Sequence, residues 1–109
     1  MKRNTAQLKE QLIQTGIDEI GKHGIEQLSL RTVAKACGVT HGSPYRHFES
    51  KEGYLKVVLA RLSLFLNQEI NENIDATGSA RDQLTQLGLN FIIFAKTYPH
   101  FFEALFIKF

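Results

Sequence analysis

Apolar residues along this chain recur at helical spacing, and no stretch keeps the period of two that marks a half-buried strand. Leu8, Leu12, Ile13, Ile17 and Ile20 share one face between about Thr5 and His23, which predicts a first helix. Thr5 is placed to cap its start, and Gly24 to close it in the left-handed conformation. After a connector at Ile25–Leu28, Ser29 caps a second, short helix with Leu30, Val33, Ala34 and Cys37 inward, ending at Gly38. Thr40 caps a third, from His41 to about His47; Pro44 falls in its first turn, where a missing N–H costs little. Phe48 turns back to the core. Ser50 caps a long fourth helix, Lys51 to about Ile74, striped by Leu55, Val58, Leu59, Leu62, Phe65, Leu66, Ile70 and Ile74.

Asp75-Ala76-Thr77-Gly78-Ser79 is a turn by composition. Ser79 caps a fifth helix to about Lys96, with Leu84, Leu87, Phe91, Ile92 and Ala95 inward, and Tyr98-Pro99 ends it. Pro99 opens a sixth, carrying Phe101, Phe102, Leu105, Phe106 and Phe109. A helix apolar nearly all round needs burial on several sides. The expectation is therefore that another chain covers this end, or that the chain is a fragment or a truncated product. The pattern divides into 1–50, 51–74 as a connecting helix, and 79–109 as the beginning of a second domain.

Composition narrows the class. A chain of 109 residues with 43% hydrophobic positions suits about one domain with its own core. One cysteine excludes an intramolecular disulfide and a cysteine-rich zinc site; Cys37 reads as a small core residue, suited to a reducing, cytoplasmic setting. The charged N-terminus has no apolar run behind it, as a secretory signal would, and no apolar run is long enough to span a bilayer, so no membrane is expected as a partner. Net charge is +2, but residues 1–66 hold ten Lys/Arg against six Asp/Glu, while residues 67–109 hold three against five. The basic first part suits a polyanion. No Gly-rich phosphate loop, nucleophile elbow, paired-carboxylate setting or metal-ligand spacing occurs, so neither an enzyme nor a cofactor or metal site is expected. His23 and His100 read as surface or capping residues.

Two short helices joined by about three residues, with Gly38 in the turn, form a helix-turn-helix pattern. In that geometry the first helix braces and the second enters the major groove of DNA. The expected fold is all-α: a three-helix helix-turn-helix DNA-binding bundle with a long fourth helix leading into a truncated helical domain. His41, Gly42, Ser43, Tyr45, Arg46 and His47 supply the small or donor-rich outward face that groove entry needs, and bare Gly42 lets backbone approach closely. Arg31 presents a fork suited to guanine. Lys2 and Arg3 suggest a disordered basic arm.

The run Leu28-Ser29-Leu30-Arg31-Thr32-Val33-Ala34-Lys35-Ala36-Cys37-Gly38-Val39-Thr40-His41-Gly42-Ser43-Pro44-Tyr45-Arg46-His47-Phe48-Glu49-Ser50-Lys51-Glu52 resembles the signature of the tetracycline-repressor (TetR) family of bacterial transcription regulators. The likeness extends over residues 5–66, and Phe94-Ala95-Lys96-Thr97-Tyr98-Pro99-His100-Phe101-Phe102 is similar to the family's fifth-to-sixth helix junction. The resemblance implies a sequence-specific regulator of double-stranded DNA, a ligand-responsive repressor that self-associates as a homodimer on a palindromic operator. It implies DNA contacts at Ser29, Arg31, Thr40, His41, Gly42, Ser43, Tyr45, Arg46, His47 and Lys51, with Tyr45 and Lys51 on phosphate. Phe91, Phe94, Phe101 and Phe102 are either the lining of a small-molecule effector pocket or plain core packing, which their helical period favours. The alternative function is a protein-interaction module that pairs through its aromatic C-terminal helix.

Overall fold

The structure, a computed structural model describing residues 3–108, contains no strand among those residues. Its helices are α1 (Thr5–His23), α2 (Leu30–Ala36), α3 (Ser43–Phe48), α4 (Lys51–Ile70), α5 (Ala80–Thr97) and α6 (Pro99–Phe106), with one 3-10 turn at Ile25–Gln27. Lys2 of the expected arm and Phe109 of the expected sixth helix lie outside the described residues.

The caps explain most boundaries. Asn4, rather than Thr5, caps α1: its side chain accepts from Gln7 N–H at 2.7 Å while Gln7 Oε1 accepts from Asn4 N–H at 3.0 Å. Ser29, Ser50 and Ser79 accept from Thr32, Gly53 and Asp82 N–H, as their sequence positions predict. Gly24 and Gly38 have φ of 88° and 72°, a region costly for a residue with a Cβ, and they end α1 and the α2 turn.

Helix α3 starts two residues later than its sequence suggests. A helix from His41 would need an N–H from Pro44 to the Thr40 carbonyl, and proline has none. Instead Ser43 N–H donates to Thr40 O at 3.0 Å, His41 and Gly42 form a turn, and Pro44 sits where no donor is required. Thr40 therefore contributes a carbonyl, not a side-chain cap. Helix α4 stops at Ile70, short of Ile74. Asn71 folds its amide onto Asn67 O at 2.7 Å, and Asn90 of α5 donates to Ile70 O and Glu72 O at 2.9 and 2.7 Å, so the last carbonyls are satisfied from outside the helix.

One continuous core joins Leu12, Ile13 and Ile20 of α1, Leu30 and Val33 of α2, Phe48 of α3, Tyr54, Val58 and Leu62 of α4, and Ala104 of α6. Tyr54 is fully buried and donates to Leu12 O at 2.5 Å. Burial pushes its phenol pKa well above the ordinary value. Outside the core, Arg61 of α4 grips Glu10 of α1 with two bonds, at 2.6 and 3.0 Å.

The C-terminal helices correct one expectation, the inward face of α5. Leu84 and Ile92 do not face inward; they are 69% and 55% exposed, and Phe94 is the buried residue of α5. Apolar side chains surround α5, so their spacing selects no face; Phe94 wins because it packs on Phe65 and Tyr98, 6.0 and 5.3 Å away between centroids. Helix α6 finds its neighbours within the described residues: it packs on α1, α4, α5 and the 3-10 turn. Lys108 adds an ion pair to Glu26 at 3.0 Å. The radius of gyration, 16.6 Å, exceeds the roughly 13 Å of a compact chain this long, and the molecule measures 52 × 28 × 21 Å.

Candidate nucleic-acid interface

The turn between α3 and α4 sets the geometry of the surface. Glu49 takes a φ of 66°, Ser50 N–H donates to Phe48 O at 2.7 Å, and α4 begins at once with Lys51. The turn is so tight that a Cβ on Gly53 would lie 2.3 Å from the Phe48 carbonyl oxygen. Beneath it, the Phe48 ring meets Tyr54 edge-on at 5.0 Å, and Lys9 of α1 lies 5.6 Å over the Phe48 ring. Helices α1 and α4 thus fix both the tilt of α3 and the position of Lys51.

On this frame Ser29, Arg31, His41, Tyr45 and Lys51 line one shallow cleft of about 290 Å³, with Leu30 at its base. They come from three elements: the start of α2, the turn and first part of α3, and the first residue of α4. Four of the five are exposed and Ser29 is half-buried, its hydroxyl already engaged as the α2 cap. The cleft therefore presents a guanidinium, an ammonium, an imidazole and a phenol, a donor-rich set facing one way. Such a set offers hydrogen bonds and charge to phosphate oxygens and base edges.

The other expected site residues lie around this cleft rather than in it. Thr40 and Arg46 are exposed, and His47 is half-buried with its ring tilted against Phe48 at 6.2 Å. Nothing lies within 4 Å of where a Gly42 Cβ would stand, so backbone there is open to close approach. Ser43 is different: it is only 7% exposed, and its side chain turns into the fold. Arg3 does not form a free arm. Its guanidinium donates to Gln11 Oε1 and to the Cys37 carbonyl, both at 2.6 Å, and so ties the start of the chain to the end of α2.

Four positioning residues escaped the sequence reading: Lys9, Gly53, Tyr54 and Asn90. Tyr54 stands four residues before Val58 and eight before Leu62, so its helical register was a usable signal. Lys9 and Asn90 act through contacts distant in sequence that local pattern does not carry, and Gly53 through the backbone of Phe48 five residues before it.

The proposed effector aromatics do not converge on one cavity. Phe94 and Phe101 join Phe65 and Tyr98, while Phe91 packs with Phe102 and Phe106 at 5.9 and 5.4 Å. These are two packing clusters. No helix among the described residues is long and apolar enough to cross a membrane.

Comparison with known proteins agrees with this geometry. The family model described as bacterial regulatory proteins, tetR family, matches residues 12–58. A probable acrEF/envCD operon repressor of Escherichia coli K12 is 36% identical over 50 residues, covering 46% of this chain and 23% of that protein. The HTH-type transcriptional repressor KstR2 of Mycolicibacterium smegmatis is 28% identical over 82 residues, 75% of this chain and 40% of that protein. A crystal structure of a TetR-family transcriptional regulator from Haemophilus influenzae shares the fold, with a TM-score of 0.66 at 21% identity, covering 98% of this chain and 58% of that one. The chain thus spans less than half the length of these curated relatives. The helix-turn-helix region of this chain, residues 12–58, thus matches the tetR family of bacterial regulatory proteins, and the chain as a whole shares the fold of a TetR-family regulator.

Proposed function

We propose that this chain binds double-stranded DNA in a sequence-specific manner as a non-enzymatic transcriptional regulator, and that it represses. The observation that carries the reading is the meeting of Ser29, Arg31, His41, Tyr45 and Lys51 on one face from the starts of α2 and α4 and the turn into α3. In this reading α3 enters the major groove, Tyr45 and Lys51 hold phosphates, and Arg31 and His41 read base edges. Thr40, Gly42, Arg46 and His47 flank the groove-entering turn; Ser43 contributes through backbone, since its side chain is buried. The protein acts in the cytoplasm, where its operator lies. Two copies on a palindrome, roughly 34–36 Å apart, read two half-sites. A small effector then shifts the population between competent and incompetent arrangements.

The test is duplex binding across a salt series. Binding should weaken steeply with salt, and Lys51→Ala should reduce the log–log slope by about 0.9. Tyr45→Ala should weaken binding to every sequence alike, whereas Arg31→Ala should cost about 1–3 kcal/mol at one base position only. A salt-independent interaction would sink the reading.

One observation favours a second reading, a protein-interaction module. Leu89, Ile92 and Ile93 of α5 are 49–58% exposed, with Phe106 and Ile107 also half exposed or more. An exposed apolar set of this kind is a common basis for association. The surface lies chiefly on α5 rather than on the aromatic α6.

A further inference from the structure

Away from the candidate DNA-binding surface, α1, α4 and α6 enclose a cleft of about 380 Å³. Its apolar walls are Ile17, Leu62, Phe65 and Phe101. Phe65 and Phe101 meet edge-on at 6.1 Å, and Tyr98 stacks on Phe101 at 5.5 Å and 18° and meets Phe65 edge-on at 5.1 Å, so the rings are held by one another. A second cleft, about 320 Å³, adjoins it and shares both Phe101 and Asp18. The volume of the first lies in the range of small-molecule sites, roughly 300–1,000 Å³.

The charge at this cleft is one-sided. Arg61 borders it, but both terminal nitrogens of its guanidinium are bound to Glu10, so that pair is neutral together. Asp18 borders it too and makes no ion pair among the described residues. Lys22, one turn further along α1, borders only the second cleft. What remains in the larger cleft is a carboxylate beside aromatic rings, with the amide side chains of Gln14 and Gln68 at the edge. Ring quadrupoles and a carboxylate both attract positive charge, and amide oxygens accept from a cationic N–H.

We propose that this cleft binds a flat organic cation: an aryl amidinium or arylmethyl ammonium whose ring lies on Phe65 and Phe101 and whose charged end faces Asp18. The site lies apart from both the DNA-facing cleft and the four aromatics first considered as an effector lining, sharing only Phe101 with the latter. It does not depend on DNA binding, and it is tested without DNA.

Three probes of matched shape separate the charge effect from apolar burial: 2-naphthamidine, the neutral 2-naphthamide and the anionic 2-naphthoate. Each is titrated calorimetrically into the full chain. The amidine should bind saturably, about fivefold more tightly than the amide, with the naphthoate weakest. Asp18→Asn should cost the amidine about fivefold and leave the amide unchanged. Asp18 is exposed on α1, so this variant keeps the core, and an unchanged circular-dichroism melt checks that. The proposal is overturned if none of the probes saturates, if amide or naphthoate binds as tightly as the amidine, or if Asp18→Asn leaves amidine affinity unchanged.

Discussion

Gly16 and Tyr54 form a lock between α1 and α4 whose strength can be measured. A Cβ built on Gly16 would stand 2.1 Å from Tyr54 Oη and 3.0 Å from Cζ. Helix propensity alone makes Gly16→Ala favourable, by about 1 kcal/mol. The clash opposes it. Tyr54 is fully buried and cannot swing into solvent without opening the core, so the tyrosine must shift and weaken its 2.5 Å bond to Leu12 O. Overpacking costs about 1–3 kcal/mol, and a lost hydrogen bond about 1 more. The expected net cost of Gly16→Ala is therefore about 1–3 kcal/mol, a fall of several degrees in Tm for a domain this size. Tyr54→Phe alone should cost about 1 kcal/mol, because the Leu12 carbonyl keeps its place in the α1 ladder. Combined, the two should interact: with Oη gone, Gly16→Ala should cost less than it does alone by about 1–2 kcal/mol. Urea unfolding of the four proteins supplies the cycle. Strict additivity, or a stabilising Gly16→Ala in the wild-type background, would refute the reasoning.

Two more predictions concern contacts between helices. Arg61 holds the Glu10 carboxyl down to about 2, first through its direct hydrogen bonds, with Gln14 adding another. A depressed folded-state pKa means the stabilisation is present above about 4.5 and is lost as pH falls toward 2. The pair is exposed, so denaturation at pH 6 and pH 3 should show Glu10→Gln removing only about 0.2–1 kcal/mol of that pH dependence, less at high salt. Asn90→Ala should cost about 1–2 kcal/mol by removing the amide that caps α4, and Asn90→Asp more, since it sets a carboxylate against two carbonyls. Faster amide exchange at residues 71–74 in Asn90→Ala, with slow exchange kept at 54–62, would be the matching signature; uniform change would contradict it.

Much of this molecule was legible because its determinants are local. Ser29, Ser50 and Ser79 each accept from the backbone three residues on, so the residue type and its neighbours suffice to place a helix start. The α1, α2 and early α4 stripes have a single apolar face, and that face is the one buried. Of the residues that converge on the candidate interface, His41 and Tyr45 were legible from the helix-turn-helix pattern, and Ser29, Arg31 and Lys51 from the resemblance to the family signature.

What the tertiary structure decided are quantities with no local signal. Spacing cannot orient α5, because Leu84, Leu87, Leu89 and Phe91–Phe94 circle the helix; only the fit of Phe94 among Phe65 and Tyr98 chose the inward side. The end of α4 depends on an amide twenty residues away in sequence, at Asn90. Arg3 forms no free arm because its guanidinium reaches the Cys37 carbonyl at the end of α2, 34 residues away in sequence. Ser43 is buried by the turn that Pro44 imposes, which no polarity scale foretells. Periodicity and caps are read along the chain and determine which elements form. Which face each buries, and what satisfies its ends, follows from contacts between residues distant in sequence, and those exist only once the helices have packed.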